Sequence, residues 1–146
     1  NIIRDTELLK LFLRNNDIDD EGVDILVGAM AHNSSLRVLG LSYNRITTRG
    51  CQSLASLLEN PNCNLKDLSL GGNVIGDEGA LIFVNTLTSN RRLKDLGLDD
   101  SGITAEGYSS FSKVLCDTSS INNTYLSNHT LEKLGHEICL LMSHLC

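Results

Sequence analysis

A repeated pattern of leucine and asparagine runs through this sequence. The string LxxLxLxxN begins at Leu8, Leu36, Leu65 and Leu93, and a weaker version begins at Ile121, so the starts lie 28 or 29 residues apart. A second marker keeps the same phase, with an isoleucine or leucine two residues past the asparagine position and then a glycine, at Gly22, Gly50, Gly79, Gly107 and Gly135. Two independent markers in one phase predict a stack of similar units.

Each unit combines two hydrophobic periods. The alternating leucines predict a short strand with one buried face. Further along, Asp19, Thr47 and Thr104 stand where a helix N-cap is useful, and acidic residues follow in the first turn. Apolar residues four and eight positions past each glycine predict one buried helical face: Leu26 and Met30, Leu54 and Leu58, Phe83 and Leu87, Phe111 and Leu115.

No single unit can bury its own leucines, so neighbouring units must stack into one continuous core. These motifs resemble the ribonuclease-inhibitor-like class of leucine-rich repeat proteins, whose units have 28 to 29 residues. The resemblance implies an α/β fold, a right-handed β-α solenoid shaped as a horseshoe, with a parallel sheet on the concave side and helices on the convex side. The resemblance covers roughly residues 8–145, and we predict a single domain over 1–146, with units at about 8–35, 36–64, 65–92, 93–120 and 121–146.

The asparagine that ends each string is predicted to leave the strand and to bond backbone groups in a ladder between units. Asn16, Asn44 and Asn73 form this expected ladder, and Ser101 replaces its fourth member. In the unit starting at Ile121, Thr124 takes a leucine position and His129 takes the asparagine position, which predicts a looser last unit.

Neither end of the chain has the sequence expected of a capping repeat. The chain begins at Asn1 without methionine and ends in the apolar stretch EICLLMSHLC, whereas terminal repeats normally carry a polar outer face. We interpret it as a segment of a longer array, with self-association through the C-terminal helix as the alternative.

Function is expected in the residues between the structural leucines, on the concave face. Basic residues fall on the first strand, and aspartates fall on the third and fourth. Aromatic residues lie at the two ends of the sheet, and the small residues between them form the floor of the concave face. Two interpretations stay open: small residues merely suit a crowded concave surface, or the aspartates receive a basic segment of a protein partner. The candidate partner-binding residues are Lys10, Phe12, Arg14, Tyr43, Asp67, Asp95, Asp99, Asp100 and Tyr125.

The sequence contains none of the GxxxxGK[ST], GxSxG or HExxH motifs of common catalytic sites. Asp99 and Asp100 are adjacent, so on a strand they point to opposite sides rather than forming a catalytic pair. His136 and Cys139 have a spacing that suits a shared metal, but Cys139 is in phase with the buried helical positions. We therefore expect no enzyme, no cofactor and no metal.

The charge and the cysteine content limit the classes of partner and the cellular compartment that we expect. A net charge of −6 disfavours nucleic-acid binding, and no apolar run is long enough to span a membrane. Five cysteines without a CxxC pair suit reduced thiols, which favours a cytoplasmic location.

The expected function is a non-enzymatic protein-protein interaction module that binds its partner on the concave sheet. One alternative is a GTPase-activating or other regulatory leucine-rich repeat protein that acts through rim loops, where Arg14 and Arg45 lie. Another is a structural or self-assembling segment.

Overall fold

In the computed structural model, residues 8–115, 128 and 130–135 are described. Strands and helices alternate along this part of the chain as a β-α solenoid. The elements are β1 (Lys10–Phe12), α1 (Asp20–Met30), β2 (Val38–Gly40), α2 (Thr48–Glu59), β3 (Asp67–Ser69), α3 (Gly76–Leu87), β4 (Asp95–Gly97), α4 (Ala105–Leu115) and β5 (Lys133–Leu134).

The strands form one parallel sheet in the order β1-β2-β3-β4-β5. The register follows the repeat, with Leu11, Leu39, Leu68, Leu96 and Leu134 in one row. The four helices pack against one another in chain order on the other side of these leucines. This arrangement confirms the predicted stack of strand-and-helix units.

The core between sheet and helices consists of the residues that the two periods single out. Leu54 and Leu58 of α2 are at most 2% exposed, and Phe83 and Phe111 are fully buried. In the first unit the corresponding Leu26 and Met30 are only partly buried, because no described element covers α1 on its outer side. Burial of these side chains on both faces of each inner unit supplies most of the stabilising free energy.

The predicted N-caps are confirmed at three of the four helices. Asp19 accepts a hydrogen bond from the backbone N–H of Gly22 at 3.0 Å, and Thr47 and Thr104 do the same for residues in the first turns of α2 and α4. At α3 the N-cap residue is Ile75, and Gly76 holds the repeat position of the other caps, so the helix begins without a side-chain cap.

Acidic residues in the first turns also join neighbouring helices. Asp20 accepts hydrogen bonds from the backbone N–H and the hydroxyl of Thr47 at 2.8 and 2.6 Å, and Asp77 bonds Thr104 in the same way. Partial burial raises the pKa of Asp20, but the bonds from Thr47 and Gly50 outweigh it, so the net pKa lies below its ordinary value. The carboxylate therefore stabilises the contact between the first two units in its ionised form.

The fifth unit differs from the sequence prediction. The strand beside β4 is Lys133–Leu134, in register with Asp95–Leu96, so Leu131 rather than Ile121 occupies the place of Leu93. The fifth unit thus follows the fourth by 38 residues instead of 28. The predicted start at 121 does not supply the strand that pairs with β4, and Ile121 and His129 themselves lie outside the described residues.

A second set of asparagines in the return loops explains this register. The side chain of Asn90 donates to the carbonyl of Leu58 in the previous unit and accepts from the N–H groups of Arg92 and Leu93. Asn128 donates to the carbonyls of Leu87 and Asn90 and accepts from Thr130 and Leu131 in the same pattern. Asn128 is 2% exposed, so its bonds fix Leu131 as the first leucine of the fifth unit.

Two further features bear on the expectations from sequence. Within the described residues, no helix is long and apolar enough to cross a membrane. Spacings of 28 and 29 residues between the first four strands are compatible with the ribonuclease-inhibitor-like class, which stays a prediction. The C-terminal stretch and its self-association lie outside the described residues.

Candidate functional site

The rim of the sheet is held by asparagine side chains that bond across units. Asn44 accepts from the N–H groups of Asn16 and Ile18 at 3.0 Å and donates to the carbonyls of Leu13 and Leu41. Asn73 repeats the pattern one unit later, to Ile46, Leu41 and Leu70. The side chain of Asn16 is exposed and bonds only the carbonyl of Arg14, because no described unit precedes it.

The fourth unit uses a backbone group where the others use an amide side chain. The carbonyl of Ser101 accepts from Ile75 and Gly76 at 3.1 and 3.0 Å, in the place where the side chains of Asn44 and Asn73 accept from the preceding unit. Ser101 is 1% exposed, and its hydroxyl makes longer contacts of 3.5 and 3.3 Å to the carbonyls of Leu70 and Asp99. The rim is therefore continuous through the fourth unit despite the missing asparagine.

One position next to this rim has the left-handed backbone conformation in the first four units. It is held by Asn15, Tyr43, Gly72 and Asp100, with φ of 59°, 55°, 72° and 55°. Asparagine, aspartate and glycine tolerate this conformation, but a bulky tyrosine does so rarely. The backbone at Tyr43 is thus in an unfavourable conformation, which costs about 1 to 3 kcal/mol.

Exposed aromatic side chains lie at the β1 end of the concave face. Phe12 is 68% exposed, and a Cβ built on Gly40 of the next strand would lie 2.9 Å from its ring. Tyr43 is 44% exposed, and its ring is stacked between two neighbours. The guanidinium carbon of Arg14 lies 4.2 Å from the ring centroid. Gly72 of the next unit lies on the other side of the ring. Lys10 is exposed on the same strand. Arg14 and Tyr43 are thus in contact, while Lys10 and Phe12 lie on β1.

Carboxylates lie at the opposite end, on β3 and β4. Asp67 and Asp95 are paired in register on neighbouring strands, and both are half-buried. Partial burial raises the pKa of Asp95, and the nearby charge of Asp67 raises it further. Asp99 is half-buried two residues beyond β4, while Asp100 is exposed in the left-handed turn.

Lys133 is a concave-face residue that the sequence prediction missed. It pairs in register with Asp95, and its ammonium group lies 3.7 Å from the Asp95 carboxylate. The signal was present, because LEKLG at 131–135 matches LKDLG at 93–97, and an asparagine precedes both by three residues. Gly135, the last glycine of the repeated marker, directly follows Leu134 with φ of 56°. Tyr125, the predicted aromatic at this end, lies outside the described residues.

Other candidate chemistry has no converging set of groups in the described part of the chain. Residues 8–115, 128 and 130–135 contain no group of three His, Cys, Asp or Glu side chains that could hold a metal ion. The pair His136 and Cys139 lies outside these ranges. Burial raises the pKa of the Cys51 thiol to about 12, so it stays protonated and acts as a small core residue. The rim residue Arg45 pairs with Asp17 at 3.6 Å.

The comparisons with known proteins agree with this architecture. The family profile "Leucine Rich repeat" matches residues 6–26, 32–55 and 62–81. A mouse protein named "NACHT, LRR and PYD domains-containing protein 12" is 33% identical over 140 residues, covering 94% of this chain. The human protein named "NACHT, LRR and PYD domains-containing protein 14" is 30% identical over 139 residues. The chain spans 13% and 12% of the lengths of these two relatives.

Solved structures of similar shape include "Leiomodin-1 Actin-Binding Site 2 (ABS2)", with a TM-score of 0.78 and 22% identity, covering 97% of this chain and 80% of that one. The tropomodulin C-terminal domain from Caenorhabditis elegans gives a TM-score of 0.56 at 22% identity, covering 72% of this chain and 63% of that one. At this identity the likeness concerns the fold alone.

Proposed function

Because the chain is a leucine-rich repeat protein, we propose that it is a non-enzymatic interaction module whose concave face binds a segment of another protein. A solenoid of this kind offers an extended surface whose shape is set by the buried leucines and whose chemistry is set by the residues between them. The relatives share the repeat, and the proposal for this chain rests on its own concave residues.

The observation that carries the proposal is the exposure of aromatic side chains beside a floor of small residues. Phe12 lies on β1 in the row whose members on the next strands are Gly40, Ser69 and Gly97, and Tyr43 lies in the turn after β2. Aromatic residues supply much of the binding free energy at protein interfaces, and truncation of one such residue typically costs about 2 kcal/mol or more. A floor without bulky side chains leaves room for a partner segment to approach the sheet.

The carboxylates at the other end are proposed to attract a basic group of the same partner. Asp67, Asp95 and Asp99 carry negative charge next to one another, and the raised pKa of Asp95 means that a nearby positive charge is favourable there. Lys133 supplies part of that charge from within the chain. A basic side chain of the partner would add to it and would chiefly raise the association rate.

The test is a pulldown with charge-reversal variants of the 146-residue chain. A triple variant with Asp67→Lys, Asp95→Lys and Asp99→Lys is expected to lose proteins that bind the concave face. The matched control is Glu59→Lys, Glu78→Lys and Glu106→Lys, which changes the net charge equally at exposed positions on the helices. Loss in the first variant with recovery in the control supports the proposal. Unchanged recovery of every partner by the concave variant contradicts it.

A photocrosslinking amino acid locates the surface independently of charge. Placed at Ser42, beside the aromatic residues, it is expected to crosslink the recovered partner. Placed at Ser56, which is exposed on α2, it is expected to give no crosslink. Crosslinking from position 56 alone would place the partner on the helices and refute concave binding.

A further inference from the structure

We propose that the exposed patch formed by Lys10, Phe12, Arg14 and Tyr43, here called the cationic aromatic corner, docks an acidic segment of a partner protein that carries an apolar side chain between its carboxylates. This inference rests on the proposed function, since it assigns the strongest contact and the chemistry of the partner within the concave face. It differs from the basic segment proposed for the aspartates in position and in charge.

The repeat itself shows that these side chains are not required by the fold. At the place of Phe12, the next three strands have Gly40, Ser69 and Gly97. At the place of Tyr43, the other three units have Asn15, Gly72 and Asp100, all of which suit the left-handed conformation. The other units therefore serve as a comparison, within the same protein, for the residues at these two places. The two largest departures from the small or turn-forming residues at these places occur in neighbouring units, on β1 and after β2.

Both departures are unfavourable in the isolated chain. Phe12 leaves 68% of its surface in water, where an apolar ring gains nothing. Tyr43 adopts a backbone conformation that costs a bulky residue free energy, with its ring 44% exposed. Burial of these rings by a bound segment would offset these costs.

The charge of the corner selects the partner's chemistry. The guanidinium of Arg14 stacks on the Tyr43 ring, which holds its planar group in place and leaves its N–H groups for a carboxylate. Within the described residues, neither Arg14 nor Lys10 has an ion pair, in contrast to Asp95 at the other end, which Lys133 already contacts. Two cations beside two exposed rings are complementary to carboxylates flanking an apolar group.

The spacing along β1 and just beyond it sets the pattern of the partner segment. Arg14 follows β1 by two residues, where Leu13 and Asn15 still donate to the carbonyls of Gly40 and Ser42. Lys10, Phe12 and Arg14 thus alternate along the chain, about 7 Å apart in succession. An extended segment that runs along β1 presents its own side chains at the same interval. The matching pattern is an acidic residue, an apolar residue and an acidic residue at alternate positions.

The test uses three synthetic peptides and the complete 146-residue chain labelled with ¹⁵N. Their cores are Glu-Ser-Phe-Ser-Glu, Glu-Ser-Ala-Ser-Glu and Lys-Ser-Phe-Ser-Lys, each flanked by Gly-Ser residues, and binding is followed by NMR titration. The first peptide is expected to bind at least tenfold more tightly than the other two, with the largest shifts in β1 and around Tyr43. Equal binding of the three peptides, or shifts confined to β3 and β4, would overturn the inference.

Variants taken from the protein's own repeat complete the test. Phe12→Ser and Tyr43→Asn place residues that other units hold at the same positions, so the fold is expected to persist, and each should weaken the first peptide at least fivefold. Arg14→Glu should weaken it at least tenfold. The control Glu59→Gln with Glu78→Gln removes two carboxylates from exposed positions on α2 and α3 and should leave the affinity unchanged.

The outcomes separate this inference from the proposed function. If Phe12→Ser binds the first peptide as the wild type does, the corner is not the docking site, whereas a concave crosslink from Ser42 would still support the module. If the crosslink arises only from Ser56, the module itself is refuted. Loss of peptide binding in the variant with Glu59→Gln and Glu78→Gln would also refute the corner, because binding would then depend on residues of the helices.

Discussion

The ring of Tyr43 lies against the Cα of Gly72, and both residues occupy the same left-handed position in consecutive units. A Cβ built on Gly72 would lie 2.7 Å from Cδ1 of the tyrosine ring, and φ is 55° and 72° at the two residues. Gly72 is therefore required twice, once for its backbone conformation and once for the space that the ring occupies.

Replacement of this glycine should destabilise the protein through both effects. Gly72→Ala is expected to lower the free energy of unfolding by about 2 to 3 kcal/mol, of which about 1 kcal/mol comes from alanine in the left-handed conformation. The rest comes from displacement of the tyrosine ring. Urea denaturation followed by circular dichroism measures the change.

Tyr43→Asn separates the two effects. Combined with Gly72→Ala, it should recover the part caused by the ring, so that the double variant is more stable than the sum of the single changes predicts. Strict additivity would mean that the ring does not occupy this space in solution. Gly102→Ala is the matched control for the backbone effect, since φ is also 72° there and nothing lies within 4 Å of the added Cβ.

The rim asparagines should differ in their importance according to their neighbours. Asn73 is 4% exposed and bonds Ile46, Leu41 and Leu70, so Asn73→Ala leaves buried backbone groups without partners and should cost about 2 to 4 kcal/mol. Asn16→Ala removes one local bond at the surface and should cost less than about 0.5 kcal/mol. Equal losses in urea denaturation would contradict the ladder as described.

The register of the fifth unit can be tested at Asn128. Its side chain makes four hydrogen bonds, one of them to Leu87 at the end of α3 and one to Asn90 in the loop that follows. Asn128→Ala should release β5 locally, because a terminal unit of a solenoid can detach without unfolding its neighbours. Hydrogen exchange should then accelerate at the amides of Glu132 and Lys133, which donate to the carbonyl of Lys94.

The control for this release is the interior of the same sheet. In the Asn128→Ala variant the amides of Leu41 and Leu70, which bond the neighbouring units, should keep their protection. Unaltered exchange at Lys133 would show that Asn128 does not hold β5.

The pKa of Asp95 should respond in opposite directions to its two charged neighbours. Burial and the Asp67 charge raise this pKa above the ordinary value of 3.8, while Lys133 lowers it. Asp67→Asn should therefore lower the pKa of Asp95, and Lys133→Met should raise it. Carboxyl ¹³C NMR titration measures both shifts, and a response of the same sign in the two variants would contradict the arrangement.

This raised pKa also predicts the direction of a pH effect on stability. The folded chain holds its proton on Asp95 at higher pH than the unfolded chain does, so the contribution of this group to stability is complete below 3.8 and is lost as the pH rises through the folded pKa. The stability of Asp95→Asn relative to the wild type should accordingly increase over that pH interval. Thermal melts at pH 3.5, 5 and 7 check this.

Much of the fold follows from the sequence because the same interactions recur in each unit. The leucine spacing predicted the strands near residues 10, 38, 67 and 95, and the glycine marker predicted the buried faces of α2 and α3. The helix caps at Asp19, Thr47 and Thr104 followed from local backbone chemistry. In these units the local pattern and the packing of neighbours favour the same structure.

The fifth unit could not be placed by spacing alone, because ten additional residues separate it from the fourth. A fixed period of 28 led to Ile121, whereas hydrogen bonds from Asn128 and pairing of Lys133 with Asp95 select Leu131. The concave site was affected in the same way. Phe12, Arg14 and Tyr43 could be placed from the first two strands, but the cation beside Asp95 depended on the true register.

At position 101 the hydrogen bonds that link the third and fourth units do not depend on the identity of the side chain. Ile75 and Gly76 donate to the main-chain carbonyl of Ser101, and every amino acid supplies that carbonyl. Any residue small enough for the enclosed space can therefore be exchanged there without uncoupling the third unit from the fourth. Mutational tolerance along the rim is therefore uneven. Positions 44 and 73 require the amide of asparagine, whereas position 101 tolerates any sufficiently small residue.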